Sequence, residues 1–196
     1  MRKLGTLLFL MSLLALVGCQ SSLMSVTADG TTPYTPDEEK ALVIFMRPSS
    51  FGGAVQSTVY QYDGSPKFVG IVSSKNKLAY QVPPGEHLFM VMGENAGFLN
   101  TDLVAGHIYY VEIEAHFGFA KARFSLEPIP QTEFDSEDFK KDLGKCKFVT
   151  NTPASEQWFI EHRQDVVEKY DSYYPKWESK TEDKKKSLTI NDGRPL

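Results

Sequence analysis

The sequence predicts an all-β core, a two-layer β-sandwich of the Ig-like or transthyretin-like kind, carrying a helical appendage at its C-terminal end. Three observations lead there. Residues 41–130 hold short apolar or alternating runs broken by turn residues, the pattern of strands that cover one another in two layers. Within them, Tyr109, Val111, Ile113, Ala115 and Phe117 alternate with Tyr110, Glu112, Glu114 and His116, so one strand has an apolar face and a polar one. From residue 131 the composition changes to amphipathic stretches with helix-start residues.

The elements follow in order. Ala41-Leu42-Val43-Ile44-Phe45-Met46 is apolar at every position, as a strand covered on both faces must be. Ser57–Tyr62 and Lys67–Val72 flank Asp63-Gly64-Ser65-Pro66, a hairpin signal. Lys77–Val82 and His87–Met92 flank Pro83-Pro84-Gly85-Glu86. Pro lacks a donor and Gly accepts positive φ, so this is a turn. Leu99–Val104 and His107–Ala115 flank Ala105-Gly106, and Ala122–Pro128 closes the set. Residues 131–196 then read as the helical extension. Gln131–Leu143 predicts a short helix docked by Phe134 and Phe139. Thr152 suits an N-cap and Pro153 a first helical position. Phe159, His162, Val166, Tyr170 and Tyr173 recur at spacings of three and four, one side of a helix that Pro175 should end or kink. Lys184-Lys185-Lys186 and Asn191-Asp192-Gly193 read as a solvated tail.

The N-terminal segment is a targeting signal in form. Arg2 and Lys3 precede an apolar stretch, Leu4–Val17, shorter than the roughly 20 residues a membrane span needs. It ends in Leu16-Val17-Gly18-Cys19. That tetrapeptide resembles the lipobox of bacterial lipoproteins. The resemblance implies that the Cys19 thiol receives a diacylglycerol and that residues 1–18 are cut away. Residues 19–40, rich in Ser, Thr, Gly and Pro, then form a lipidated cysteine and flexible tether. Gln20, where an Asp commonly retains such proteins at the inner membrane, implies delivery to the outer membrane, facing the periplasm.

Farther on come Phe45-x-Arg47-Pro48, Asp63-Gly64, Pro84-Gly85-Glu86-His87, Gly106-His107-Ile108-Tyr109-Tyr110-Val111 and Phe117-Gly118-Phe119. In this order they are similar to a family of bacterial lipoproteins of unknown function with a small β-sandwich. The resemblance covers about residues 40–130. It implies the fold and an envelope location, and carries no catalytic residues with it.

Charge narrows the partners. The chain has 21 Lys and Arg against 25 Asp and Glu, a formal net charge of −4, and loses Arg2 and Lys3 with the signal. Nucleic acid is not an expected partner, since phosphate binding works by cationic release of counterions. No polybasic patch adjoins Cys19, so membrane contact rests on lipid, for which two or three acyl chains suffice. Cys146 is then a lone thiol, either buried, exposed and reactive, or paired in an intermolecular bridge, with burial the favoured reading.

Candidate sites are few. Glu112, Glu114 and His116 are ligand types in a row, but any solvent-facing strand produces the same row. Glu133, Asp135, Glu137 and Asp138 lack the spaced ligands and central Gly of a calcium loop and suit a helix start. No Gly-x-Ser-x-Gly elbow occurs. The expectation is therefore no metal, no cofactor and no catalysis. The aromatics from Trp158 to Trp177 either pack the helix or form a binding surface. Trp158, Tyr174 and Trp177 are the candidate binding residues, with Trp158 and Tyr174 expected to be exposed. The reading is an envelope lipoprotein with a structural or protein-binding role. The alternatives are a glycan- or peptide-binding module and, last, a hydrolase. Labelled palmitate should enter the wild-type chain in cells and not Cys19→Ala; equal incorporation would remove the lipoprotein reading.

Overall fold

The computed structural model describes residues 23–29, 31–117 and 122–196. The expected signal, residues 1–18, and Cys19 lie outside them. Among the described residues, two sheets face each other. The first contains β1 (Met24–Val26), β2 (Ala41–Arg47), β5 (Asn76–Val82), β8 (His107–His116), β9 (Arg123–Ile129), β10 (Lys147–Asn151) and β12 (Arg194–Pro195). Its order is β1-β10-β5-β2-β8-β12, with β9 also paired to β8. The second contains β3 (Ser57–Tyr62), β4 (Pro66–Val72), β6 (Gly85–Met92), β7 (Ala96–Leu103) and β11 (Ser187–Leu188), in the order β11-β7-β6-β3-β4. Two helices follow the main strands, α1 (Glu137–Lys145) and α2 (Pro153–Glu178). The all-β core with a helical C-terminal part is thus present.

Each face of β2 has its own covering. Val43 and Phe45 point into the core between the sheets, where Phe45 meets Phe89 of β6 edge-on at 5.1 Å. Met46 points outward, into a cluster with Ile129, Phe134, Phe139 and Cys146 under α1. Every residue of β2 is buried as a result. The turn at Pro83-Pro84 and the turn at Ala105-Gly106 both carry the chain from one sheet to the other, since β5 and β6, like β7 and β8, lie in different sheets. The Asp63–Ser65 turn joins true hairpin partners, β3 and β4.

α2 covers the outer face of the second sheet. Thr152 caps it reciprocally with Ser155 and also donates to the Leu23 carbonyl at 2.7 Å. Its 26 residues extend about 39 Å at 1.5 Å each. Tyr60, Met90 and Phe98 of the sheet meet Val166, Phe159, Tyr170 and Trp177 of the helix. Of the two expectations at Pro175, an end or a kink, the end does not occur: the helix runs to Glu178. One turn beyond Tyr173, Trp177 is buried against Phe98 at 5.5 Å, and that packing outweighs one missing backbone donor in the last turn.

Parts of the expected tether and of the expected solvated tail are built into the sheets, while Lys184, Lys186 and Asn191 are exposed as expected. In the expected tether, β1 pairs with β10, Met24 is buried in the core, and Tyr34 packs edge-on against Phe148 at 5.9 Å. In the expected polar tail, β11 pairs with β7 and β12 with β8. Leu188 fills the core and Arg194 grips Asp135 with both guanidinium nitrogens, at 3.2 and 2.8 Å. Gly193 lies so close to Tyr109 that a Cβ there would overlap the ring. Strands of two or three residues carry little periodicity. Their hydrogen bonds come from sheet edges that would otherwise stay unpaired.

Arg47 ends β2 and is fully buried with no carboxylate partner among the described residues. Its guanidinium donates to the carbonyls of Val55 at 2.7 Å, Phe51 at 3.0 Å and Gly52 at 2.8 Å, and lies over the Phe124 ring at 4.7 Å. Burial lowers its pKa from the usual guanidinium value. The fork holds the whole 51–55 loop, which a lysine ammonium does not match. Arg47→Lys should therefore destabilise the fold by about 2 kcal/mol, since a hydrogen bond to a charged group contributes about 1.5–3 kcal/mol while the freed carbonyls of the exposed Phe51 and half-exposed Gly52 can turn to water. Urea midpoints at constant slope check this; a change below about 1 kcal/mol would show that the loop does not depend on the fork.

Candidate functional site

The aromatic row of α2 is used mainly for packing. Tyr62 stacks on Tyr170 with centroids 3.6 Å apart, Tyr170 stacks on Tyr174 at 4.6 Å, and Tyr174 meets Phe98 edge-on. Trp158 stacks on His162 at 4.5 Å and leans on Phe68. Trp158 and Tyr174, expected to be exposed, are half-buried, because the helix settles into the sheet deeply enough to engage residues flanking its main stripe. Of the three candidate binding residues, Trp177 lines a concavity, together with Tyr173.

That concavity, of about 590 Å³, lies between the end of α2, strands β7 and β9, and the segment leading into β11. Its rim carries Arg123, Lys176, Lys180, Lys184 and Lys186, and none of its lining residues is acidic. Two of these cations reach out to carboxylates: Arg123 to Glu94 at 3.2 Å, and Lys186 to Glu127. Lys176, Lys180 and Lys184 are exposed and form no ion pair within the described residues. In a chain of net charge −4, this is a local reversal of sign. It escapes sequence reading because β9, the end of α2 and residues 180–186 meet only through the fold. The lysine run was visible as a charged tail, without its partners.

A second concavity, of about 790 Å³, is lined with acids, among them Asp63, Glu86 and Asp102. His87 sits in it with both ring nitrogens engaged. Nε2 lies 2.8 Å from the Pro83 carbonyl, so it carries the proton, and Nδ1 accepts from the Gln61 amide at 3.1 Å. The Gln61 carbonyl oxygen accepts from Tyr80 at 2.8 Å. The chain of bonds is closed, and the imidazole has no nitrogen to offer a ligand.

Across β8 and β9, the register sets Glu114 opposite Ser125 and Glu112 opposite Glu127. His116 Nε2 lies 2.7 Å from Ser125 Oγ, which donates to Glu127 Oε1 at 2.7 Å. Glu114 Oε2 is 3.8 Å from the same Nε2. A serine nucleophile needs the acid on the far ring nitrogen, Nδ1; here serine and acid share one nitrogen. Burial, then the carboxylates of Glu114, Asp142 and Glu127, push Glu112 up to about 7, against the opposing effect of Lys145. Ser125 and Glu127 escape sequence reading because only the hairpin register brings them beside the Glu114 row. No protein-family model matches the chain, and no curated protein matches it.

Cys146, a free thiol among the described residues, is buried between Met46 and α1. Burial pushes it up to about 11, despite the nearby Lys77. It should resist iodoacetamide at pH 8 in the native state and react within minutes in urea, read by mass spectrometry. Native reaction at the unfolded rate would contradict this burial.

Proposed function

We propose that the chain is a lipid-anchored protein of the bacterial cell envelope, held at the outer membrane through Cys19 and facing the periplasm, whose role is binding without catalysis. The observation that carries the binding role is the groove of five cations without an acid in its lining. Its ligand on this reading is an anionic glycan. A volume of about 590 Å³ falls in the range of small-molecule sites, whereas a stable protein partner covers about 800 Å² of surface. Tyr173 adds aromatic surface to the same wall, with the buried Trp177 behind it, and aromatic rings suit sugar faces. Three of the cations are uncompensated by partners within the described residues, so an anion there gains attraction without first breaking an ion pair.

The anchor reading rests on Leu16-Val17-Gly18-Cys19. The absence of chemistry in this proposal is supported by the engaged His87 and by the shared nitrogen at His116. The finer description of the sandwich as Ig-like or transthyretin-like is part of the same proposal, supported by two packed sheets and by connections that cross between them.

The full chain in detergent should gain several degrees in melting temperature with a sulfated heparin tetrasaccharide and little with its desulfated counterpart, since a ligand of the folded state alone stabilises it. The gain should shrink with added salt and vanish in Lys176→Ser/Lys180→Ser/Lys184→Ser. An equal shift in that variant would refute the groove as the site.

A further inference from the structure

We infer that Glu114, His116 and Glu127 form a binding site for a divalent transition-metal ion of the zinc type on the outer face of the β8–β9 pair. One ligand atom from each of the three lies within 4.8 Å of the others. A metal held at about 2.0–2.2 Å from nitrogen and oxygen ligands sets them roughly 3.4 Å apart. The Glu114 Oε2 to His116 Nε2 separation of 3.8 Å is already close to that, and rotation of the half-exposed side chains closes the rest. Two adjacent strands fix the backbone beneath them. Glu114 and His116 alternate on β8, and Glu127 stands diagonally across on β9.

Electrostatics favours a cation here. Two carboxylates share one face of neighbouring strands, and like charges in that relation repel. Lys186 offsets Glu127 alone, through an ion pair to Oε2. Among the described residues, the one ion contact of Glu114 is to His116, at 3.8 Å. A mixed nitrogen and carboxylate set selects zinc-like ions over calcium or magnesium, which take oxygen ligands. Other ligand types are less available: His87 uses both ring nitrogens, and Cys146 is buried.

Binding changes the hydrogen bonds in a defined way. Ser125 donates its proton to Glu127, so the His116 Nε2 beside Ser125 Oγ is the proton donor in the metal-free protein. Metal coordination at Nε2 forms one nitrogen–metal bond and breaks the Nε2–H bond, the proton passing to Nδ1, so the neutral imidazole binds by changing tautomer with no net proton release. Lys186 competes with the metal for Glu127 and must give way.

Titration of the full chain in detergent with zinc chloride, by calorimetry in two buffers of different ionisation heat, tests this. The expected result at pH 8 is one zinc per chain with the same heat in both buffers, since the imidazole proton stays on the ring. Affinity should fall at least tenfold in His116→Ala and in Glu127→Gln. It should rise severalfold in Lys186→Met, which removes the competing ammonium. Circular dichroism of each variant establishes that it is folded. No zinc binding, or equal binding in His116→Ala, overturns the site. Equal affinity for calcium overturns the role of the imidazole. Weaker binding in Lys186→Met overturns the competition.

Discussion

A strand with no face turned to water governs this architecture. All of β2 is buried, so the first sheet must be covered on both sides. The second sheet covers its inner face, and α1 with Phe134 and Phe139 covers the outer one. The same strand ends in Arg47, whose cation is kept far from solvent by backbone carbonyls of a single loop. A buried charge without an opposite charge is costly unless its hydrogen-bonding capacity is met. The 51–55 loop meets most of it, leaving Nε alone without a partner.

The second sheet solves its own exposed face with α2. Aromatic rings from both sides interleave, and the helix lies across β4 and β7 at its two ends. Because the helix extends to the sheet edge, its last turn and the chain that follows come beside β9. That placement gathers lysines from residues 176–186 around Arg123. The basic groove is thus a consequence of where a long packing helix ends. Lys176, in its last turn, also complements the helix dipole, so this residue serves the helix while it lines the groove.

The edges show a further economy. β1, β11 and β12 are two or three residues long, yet each lies on a sheet edge, and Met24 and Leu188 fill the core ends. Edge strands invite pairing with other chains. Here the chain's own ends occupy those positions, and Lys186, immediately before β11, reaches Glu127 on the other sheet.

Period and punctuation were enough for the main strands, for the capped start at Thr152 and for the docking of Phe134 and Phe139. Each of these depends on neighbours in sequence or on a repeat that local physics imposes. The burial of Trp177, the helix continuing through Pro175 and the pairing of polar ends depend on surfaces formed by distant segments, and no local pattern encodes them. The candidate sites divide the same way. Glu114 and His116 were legible as an alternating row, while Ser125 and Glu127 joined them only through the β8–β9 register. By itself the sequence determined which residues alternate, cap and turn, and it carries the lipobox-like Cys19. Tertiary structure decided which charges and rings meet, because that follows from which sheet faces were left to cover.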